Sequence, residues 1–279
     1  MTPLSPRHPR FTSLRVRATL ADAARAGVVV PEGLIAQGRA EAFDYLLGER
    51  TSPPARRAIR TAAVWLVRAE RPVLSVNGNV AALASKEVAR LAETLPSLGV
   101  EVNLFHRTPA RATAIARILR RAGVREVLGV RPTWRLPGLE SDRALADRRG
   151  IAVADVCLVP LEDGDRTEAL RRAGKRVIAI DLNPLSRTAR TADLPIIDEL
   201  TRALAGLAHA VPAARRVRGV GFPPAGADDL LSEAVRAIAR RLNRLAVRPR
   251  RLRSTSPRPA RGGARRSRRA RRAPPRSRR

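Results

Sequence analysis

The chain has 279 residues, 44% of them hydrophobic, with a single cysteine and a formal net charge of +30. One cysteine excludes a disulfide within the chain and a cysteine-based metal site, and the length supports one large or two small domains. No apolar run reaches the length of a membrane span, and the start, MTPLSPRHPR, lacks the apolar segment of a secretory signal. The sequence therefore predicts a cytoplasmic protein without membrane contact.

The first quarter of the chain carries only helical patterns, so residues 1–70 are predicted to form a helical N-terminal region with helices at 13–27, 33–48 and 53–69. From residue 71, short apolar runs alternate with helical patterns. The predicted strands are 72–76, 100–105, 124–130, 156–160, 177–180 and 194–197. The predicted helices are 80–95, 109–123, 168–174, 198–208 and 228–245, and 131–150 is predicted to be irregular and partly helical. The alternation predicts an α/β fold with a three-layer, mainly parallel sheet over 71–247, in one domain with the N-terminal region.

The last segment, residues 248–279, has a different composition, with fifteen arginines and no acidic residue. Proline, serine, alanine and glycine make up most of the rest, so the segment cannot bury enough apolar surface to fold and is predicted to be a disordered basic tail. Such a tail would contact nucleic acid without sequence preference. Because aromatic residues are scarce and no recognition module is present, a nucleic-acid-binding function is confined to the tail as an alternative.

A cluster of carboxylates follows the predicted strand 156–160. Glu162, Asp163 and Asp165 lie where ligands bind in parallel sheets, beyond the carboxyl ends of the strands. They could hold Mg²⁺ or receive a substrate ammonium group. Alternatively, Asp165 could cap the helix that follows it.

A second polar loop follows the strand 177–180 and contains Asp181, Leu182, Asn183, Arg187 and Thr188. An aspartate at a strand end suits ribose hydroxyls, and an arginine suits phosphate. The alternative is a turn around a proline. The convergence of an acceptor, an amide and a cation favours the nucleotide interpretation.

Two earlier strand ends also carry polar groups. Asn77, Gly78 and Asn79 lie between a strand and a helix, where backbone N–H groups attract phosphate, although Asn-Gly is also an ordinary turn. Arg107 could bind phosphate or carboxylate, or could be a solvated loop residue. The chain has no GxGxxG, Walker A or CxxC motif, so a nucleotide site would be unconventional and no metal ligands are assigned.

Six blocks of sequence, in order, cover about the first three quarters of the chain and carry a family resemblance. They include SLRVR, GLIAQGRAEAFDYLLGE, SVNGNVAAL, EVNLFHRT, ADVCLVPLEDGDRTEAL and GKRVIAIDLNPLSRTA. In these blocks the chain resembles the archaeal phosphopantothenate synthetases, the 4-phosphopantoate–β-alanine ligases of coenzyme A biosynthesis. The resemblance implies a Rossmann-like fold, a homodimer, and an ATP-dependent ligase that forms an acyl adenylate and releases AMP and pyrophosphate, with Mg²⁺ expected.

The resemblance also implies which residues contact ATP. They are Arg17, Arg39, Asp181, Leu182, Asn183, Arg187, Thr188, Glu199 and Leu200. The 4-phosphopantoate and β-alanine sites would draw on the other polar strand ends, and no catalytic residue is assigned. The chain departs from the family pattern His-Gly-Arg-Gly, having Gln37 at the first position and Ala40 at the last, and alanine adopts positive φ less readily than glycine. Another nucleotide-dependent reaction on the same fold is the remaining alternative.

Overall fold

The computed structural model describes residues 5, 7–8 and 10–247, and the predicted tail 248–279 lies outside the described residues. The helices are α1 (Phe11–Arg25), α2 (Pro31–Leu47), α3 (Pro53–Arg68), α4 (Gly78–Thr94), α5 (Pro109–Ala122), α6 (Gly164–Arg172), α7 (Arg187–Thr191), α8 (Leu200–Ala214) and α9 (Ala227–Val247). The strands are β1 (Pro72–Val76), β2 (Gly99–Val102), β3 (Trp134–Arg135), β4 (Leu145–Ala146), β5 (Val156–Pro160), β6 (Arg176–Asp181) and β7 (Leu194–Ile197). No described helix combines the length and the apolar surface that crossing a bilayer requires.

The main sheet has the order β2-β1-β5-β6-β7, and all of its strand pairs are parallel. The predicted α/β class and mainly parallel sheet are therefore confirmed. Numbered along the chain within this sheet, the order is 2-1-3-4-5, that of flavodoxin-like doubly wound folds rather than the 3-2-1-4-5-6 order of dinucleotide-binding folds. The direction of winding changes between β1 and β5. The crevice beyond the carboxyl ends of these two strands is where such folds bind ligands.

Side chains of the sheet alternate between two apolar layers. On one face, Leu74, Leu158 and Ile178 pack into the largest core cluster, which also contains residues of α3, α4 and α8. On the other face, Val159 and Cys157 pack with α6 and with the segment that carries β3 and β4. Cys157 is a fully buried core residue, and burial raises the pKa of its thiol to about 12.

The segment between α5 and β5 differs from its prediction. Residues 124–130 do not form a strand, because Leu128 makes one parallel bridge to Glu101 and Gly129 then turns the chain with φ of +74°. Residues 131–150 contain the antiparallel β3–β4 pair and a short 3₁₀ turn, Asp142–Ala144. The carboxylate of Glu101, fully buried, accepts hydrogen bonds from the backbone of Asp147 and Ile151. This long-range contact fixes the loop and has no signal in local periodicity.

Candidate active site

Asn77 joins the two strand ends at the point where the winding of the sheet changes direction. Its Oδ1 accepts the N–H of Val80 at 3.1 Å and so caps α4, while its Nδ2 donates to the carbonyl of Leu161, beyond β5, at 2.9 Å. Gly78 and Asn79 form the first turn of α4 rather than a separate turn, and Asn79 is buried and donates to the carbonyl of Gly33 at 2.8 Å. These side chains organise the crevice, and substrate binding by the segment stays a prediction.

Beyond β5, Glu162 is enclosed between two arginines. It forms ion pairs with Arg166 and, at 3.1 Å, with Arg143, and all three side chains are buried. Burial alone would raise the pKa of Glu162, but the two guanidinium groups outweigh it and hold the pKa below its usual value. Glu162 is therefore a carboxylate that its ion pairs hold in the charged form, and substrate binding by Glu162 stays a prediction.

Arg143 and Arg166 were not among the predicted site residues. Arg166 lies four residues after Glu162 on the same loop and helix, so the i, i+4 spacing could have revealed the pair. Arg143 comes from the 3₁₀ turn between β3 and β4, and nothing in the local sequence links it to Glu162. Its Nε also lies 3.3 Å from Oδ2 of Asp163, whose side chain is half exposed.

A cleft of about 500 Å³ opens beside this buried network. Its lining is mixed in charge and comprises Phe105, Leu139, Glu140, Ser141, Arg143, Asp163, Gly164, Asp165, Arg166 and Arg187. The proposed cap role of Asp165 is wrong, because Asp163 holds the N-cap position of α6, without a side-chain bond, and Asp165 lies in the first turn. Asp165 instead pairs with Arg187, which also binds Glu168 at 2.9 Å.

The loop after β6 is shaped by its own polar side chains. Asp181 accepts the N–H of Asn183 at 2.9 Å and the hydroxyl of Ser186 at 2.6 Å, and Asn183 accepts the N–H of Leu185. Burial raises the pKa of Asp181, and the charge of Arg39 opposes this shift. The turn interpretation thus describes the contacts of this loop within the chain. ATP binding by Asp181, Asn183 and the buried Leu182 stays a prediction.

Thr188 connects the two predicted loops. It is buried at the start of α7, and its hydroxyl donates to the carbonyl of Glu162 at 2.6 Å. The loops after β5 and β6 are therefore held together, as expected for adjacent parallel strands whose carboxyl ends meet at one edge of the sheet.

Helix α2 brings Arg39 to the edge of the β6 loop. Its residues Ala40 and Leu47 pack with Leu182 and Ile197 in one apolar cluster. Ala40 lies inside the helix, where positive φ is not needed, so its departure from glycine does not disturb the backbone. Arg39 itself is exposed.

Two other predicted ATP contacts lie at the end of β7. Glu199 caps α8 by accepting the N–H groups of Thr201 and Arg202, each at 3.0 Å. Leu200 is buried in the largest core cluster. Any contact of these two residues with a nucleotide would therefore have to leave the cap and the core in place.

Arg17 and Arg107 have partners away from the crevice. Arg17, on α1, forms a two-point ion pair with Glu41 of α2, with both nitrogen–oxygen distances 3.1 Å. Since residues two apart on a helix face different sides, this pair does not place Arg17 beside Arg39. Arg107 donates to the carbonyls of Gly129 and Val130, so it secures the turn after α5 rather than lining the cleft.

No group of three or more potential metal ligands occurs within residues 5, 7–8 and 10–247. The expected Mg²⁺, for which no ligands are assigned, stays a prediction.

A sequence model of the phosphopantothenate/pantothenate synthetase family matches residues 54–219, more than half of the chain. The chain belongs to this family. The matched range contains Asn77, Arg143, the loop after β5 and the loop after β6, whereas Arg17 and Arg39 precede it. The family resemblance predicted from the six sequence blocks is thus confirmed.

Individual members of the phosphopantothenate/pantothenate synthetase family are close in sequence. The 4-phosphopantoate–beta-alanine ligase of Thermococcus onnurineus is 56% identical over 197 residues, which is 70% of this chain and 75% of that protein. The enzyme of the same name from Methanosarcina mazei is 52% identical over 208 residues, 75% of this chain and 81% of its own. That of Methanospirillum hungatei is 50% identical over 224 residues, 77% of this chain and 91% of its own.

Proposed function

We propose that the protein condenses 4-phosphopantoate with β-alanine, using ATP, to give 4′-phosphopantothenate, AMP and pyrophosphate. The relatives that carry this ligase name cover most of the chain, as reported above. The structural observation that best supports the proposal is the hydrogen bond from Thr188 to the carbonyl of Glu162. It holds the loop proposed for ATP against a polar cleft that could receive the other substrates.

ATP is proposed to lie over the carboxyl ends of β6 and β7. Asp181 and Asn183 would face its ribose and base, and Arg39 and Arg187 its phosphates. Arg187 is exposed, so it can exchange a surface carboxylate for a phosphate at small cost. Backbone contacts to ATP would come from Leu182, Thr188, Glu199 and Leu200. Arg17 would also contact ATP, as the family resemblance implies.

The first step would be attack of a carboxylate oxygen of 4-phosphopantoate on the α-phosphorus of ATP. The bond between the α-phosphorus and the bridging oxygen breaks, and pyrophosphate leaves with that electron pair. Repulsion between the two anionic substrates must be offset, which exposed guanidinium groups around the crevice would do. Mg²⁺ bound to the phosphates would neutralise further charge when present.

In the second step the neutral amine of β-alanine would attack the carbonyl carbon of the adenylate, and AMP would leave. The nitrogen must lose protons to form the amide, so a nearby carboxylate is needed. Asp163 fits this role better than Glu162, because Glu162 is held by two arginines while Asp163 is half exposed at the cleft. Burial and the neighbouring Glu162 raise the pKa of Asp163, although Arg143 opposes this, and a raised pKa favours proton acceptance.

The family resemblance further implies a homodimer. Helix α2 exposes Leu34, Ile35 and Tyr45, the type of surface that monomers usually keep small. On this basis we propose that two copies of the chain form a homodimer.

The decisive experiment is incubation of the full chain with ATP, 4-phosphopantoate and β-alanine, followed by identification of the nucleotide product. We expect AMP and pyrophosphate to accumulate in step with phosphopantothenate. Formation of ADP instead would show an acyl-phosphate route and reject the adenylate. No turnover in a correctly folded protein would reject the ligase assignment itself.

A further inference from the structure

The cleft beside Glu162 contains a buried cation with spare hydrogen-bonding capacity. Arg166 is 1% exposed. Its Nε donates to the carbonyl of Arg143 at 3.0 Å and its Nη1 binds Ser75 and Glu162. Within the described residues its Nη2 is buried and has no hydrogen-bond partner, although Arg166 forms part of the cleft wall. An unmade hydrogen bond at a buried charged donor is costly, and a ligand oxyanion would remove that cost.

The same cleft contains an acceptor for a cation. Asp163 lines it with a half-exposed side chain and contacts Arg143, which in turn contacts Glu162, the ion-pair partner of Arg166. The anion-binding and cation-binding groups are thus linked through the Arg143–Glu162 ion pair, and both belong to the lining of one cleft.

The charges that line the cleft favour a zwitterionic ligand over a ligand with a net negative charge. Each of the three arginines lining the cleft already has a carboxylate partner, and the three acidic residues of the lining, Glu140, Asp163 and Asp165, balance their charge. Apart from the exposed Arg187, which is proposed to turn to ATP, the charged groups of the cleft would repel a phosphate dianion placed beside Glu140 and Asp163. A zwitterion brings no net charge and can satisfy both ends of the site.

We propose that this cleft binds the amine substrate as a zwitterion, with its carboxylate on Arg166 Nη2 and its ammonium group beside Asp163. The inference rests on the proposed ligase function, for which β-alanine is the amine. Once its proton has passed to Asp163, the amine is held with its carboxylate fixed, so that only the nitrogen is free to reach the adenylate. Arg166 would then select amines that carry a carboxylate.

The test compares β-alanine with β-alaninamide, which lacks the anionic carboxylate. We expect Arg166→Lys, which keeps the charge but removes Nη2, to lower kcat/KM for β-alanine by about tenfold or more, the scale of one lost charge-assisted hydrogen bond. The preference of the wild-type enzyme for β-alanine over the amide should shrink by the same factor. Pyrophosphate exchange into ATP, which needs 4-phosphopantoate but no amine, should remain within about twofold of wild type.

Arg172→Lys is the matched control, because Arg172 lies on the same helix but is exposed and outside the cleft. It should leave the amine preference unchanged. If Arg166→Lys fails to fold, Asp163→Asn tests the inference instead. This variant should raise the KM for β-alanine while the exchange of pyrophosphate into ATP persists. An unchanged amine preference in a folded Arg166→Lys, or a raised KM for 4-phosphopantoate instead, overturns the inference alone. Absence of pyrophosphate exchange in the wild-type protein would overturn both the inference and the proposed ligase function.

Discussion

The three carboxylates that follow β5 show how neighbours decide the role of a side chain. The sequence presents Glu162, Asp163 and Asp165 as equivalent candidates. The structure encloses the first between buried guanidinium groups, leaves the second at a cleft and pairs the third with Arg187. The carboxylate that is most deeply buried is the one least suited to proton transfer, because its ion pairs keep it charged.

Glu162→Gln should therefore reduce stability strongly. The substitution leaves Arg143 and Arg166 buried without their counter-charge, and breaking a buried ion pair by removing one partner costs about 3–5 kcal/mol. Urea unfolding would measure this loss. The control is Glu126→Gln, which removes an exposed partner of Arg149 and should cost less than about 1 kcal/mol. Equal losses in the two variants would show that the buried network does not stabilise the protein.

At the scale of elements, local patterns predicted the strands that end at the site. β1, β5 and β7 have the predicted bounds, because each is a short apolar run closed by polar or proline-containing sequence. The segment 124–150 was predicted poorly, since its path depends on Glu101, whose partners lie more than forty residues away along the chain. Arg143 lies in this segment, so one of the three arginines that line the cleft could not be predicted from the local sequence.

The start of α4 also depends on a contact that periodicity does not reveal. Gly78 lies so close to the carbonyl oxygen of Val28 that an added Cβ would overlap it. Gly38, inside α2, has nothing within 4 Å of an added Cβ. We expect Gly78→Ala to destabilise the protein by about 1–3 kcal/mol through overpacking.

Gly38→Ala is the matched control for that substitution, since alanine in an open helix interior should stabilise by about 0.5–1 kcal/mol. Thermal unfolding of both variants would show whether each substitution raises or lowers the stability of the protein. A stable Gly78→Ala protein would mean that the Val28 segment does not hold its position against α4.

At the scale of the whole molecule, the sheet order explains why the polar loops meet. Successive strands from β5 to β7 are neighbours, so the polar segments after each of them lie side by side. The reversal of winding next to β1 opens the crevice that Asn77 bridges. The α/β class and parallel sheet followed from strand–helix alternation, whereas the order of strands did not, because alternation alone does not say on which side of β1 the later strands add.

The basic tail is the part of the chain on which the ligase and nucleic-acid interpretations differ. None of the candidate site residues lies beyond Leu200, and α9 docks on the core through Leu230 and Ala234 before the tail begins. A shortened chain ending at Val247 should therefore keep its ligase activity. It should lose most of any salt-sensitive affinity for DNA or RNA, because half of the net charge lies in 248–279.

A full-length variant with the fifteen tail arginines replaced by glutamine separates charge from chain length. Because the proposed nucleic-acid contact is electrostatic, this variant should bind as weakly as the shortened chain and turn over as fast as the wild type. Turnover with all three substrates and binding measured across a range of salt concentrations would give both quantities. If either change abolishes turnover while the circular dichroism of the core is unchanged, the tail contributes to the active site, and the division of the chain at residue 247 is wrong.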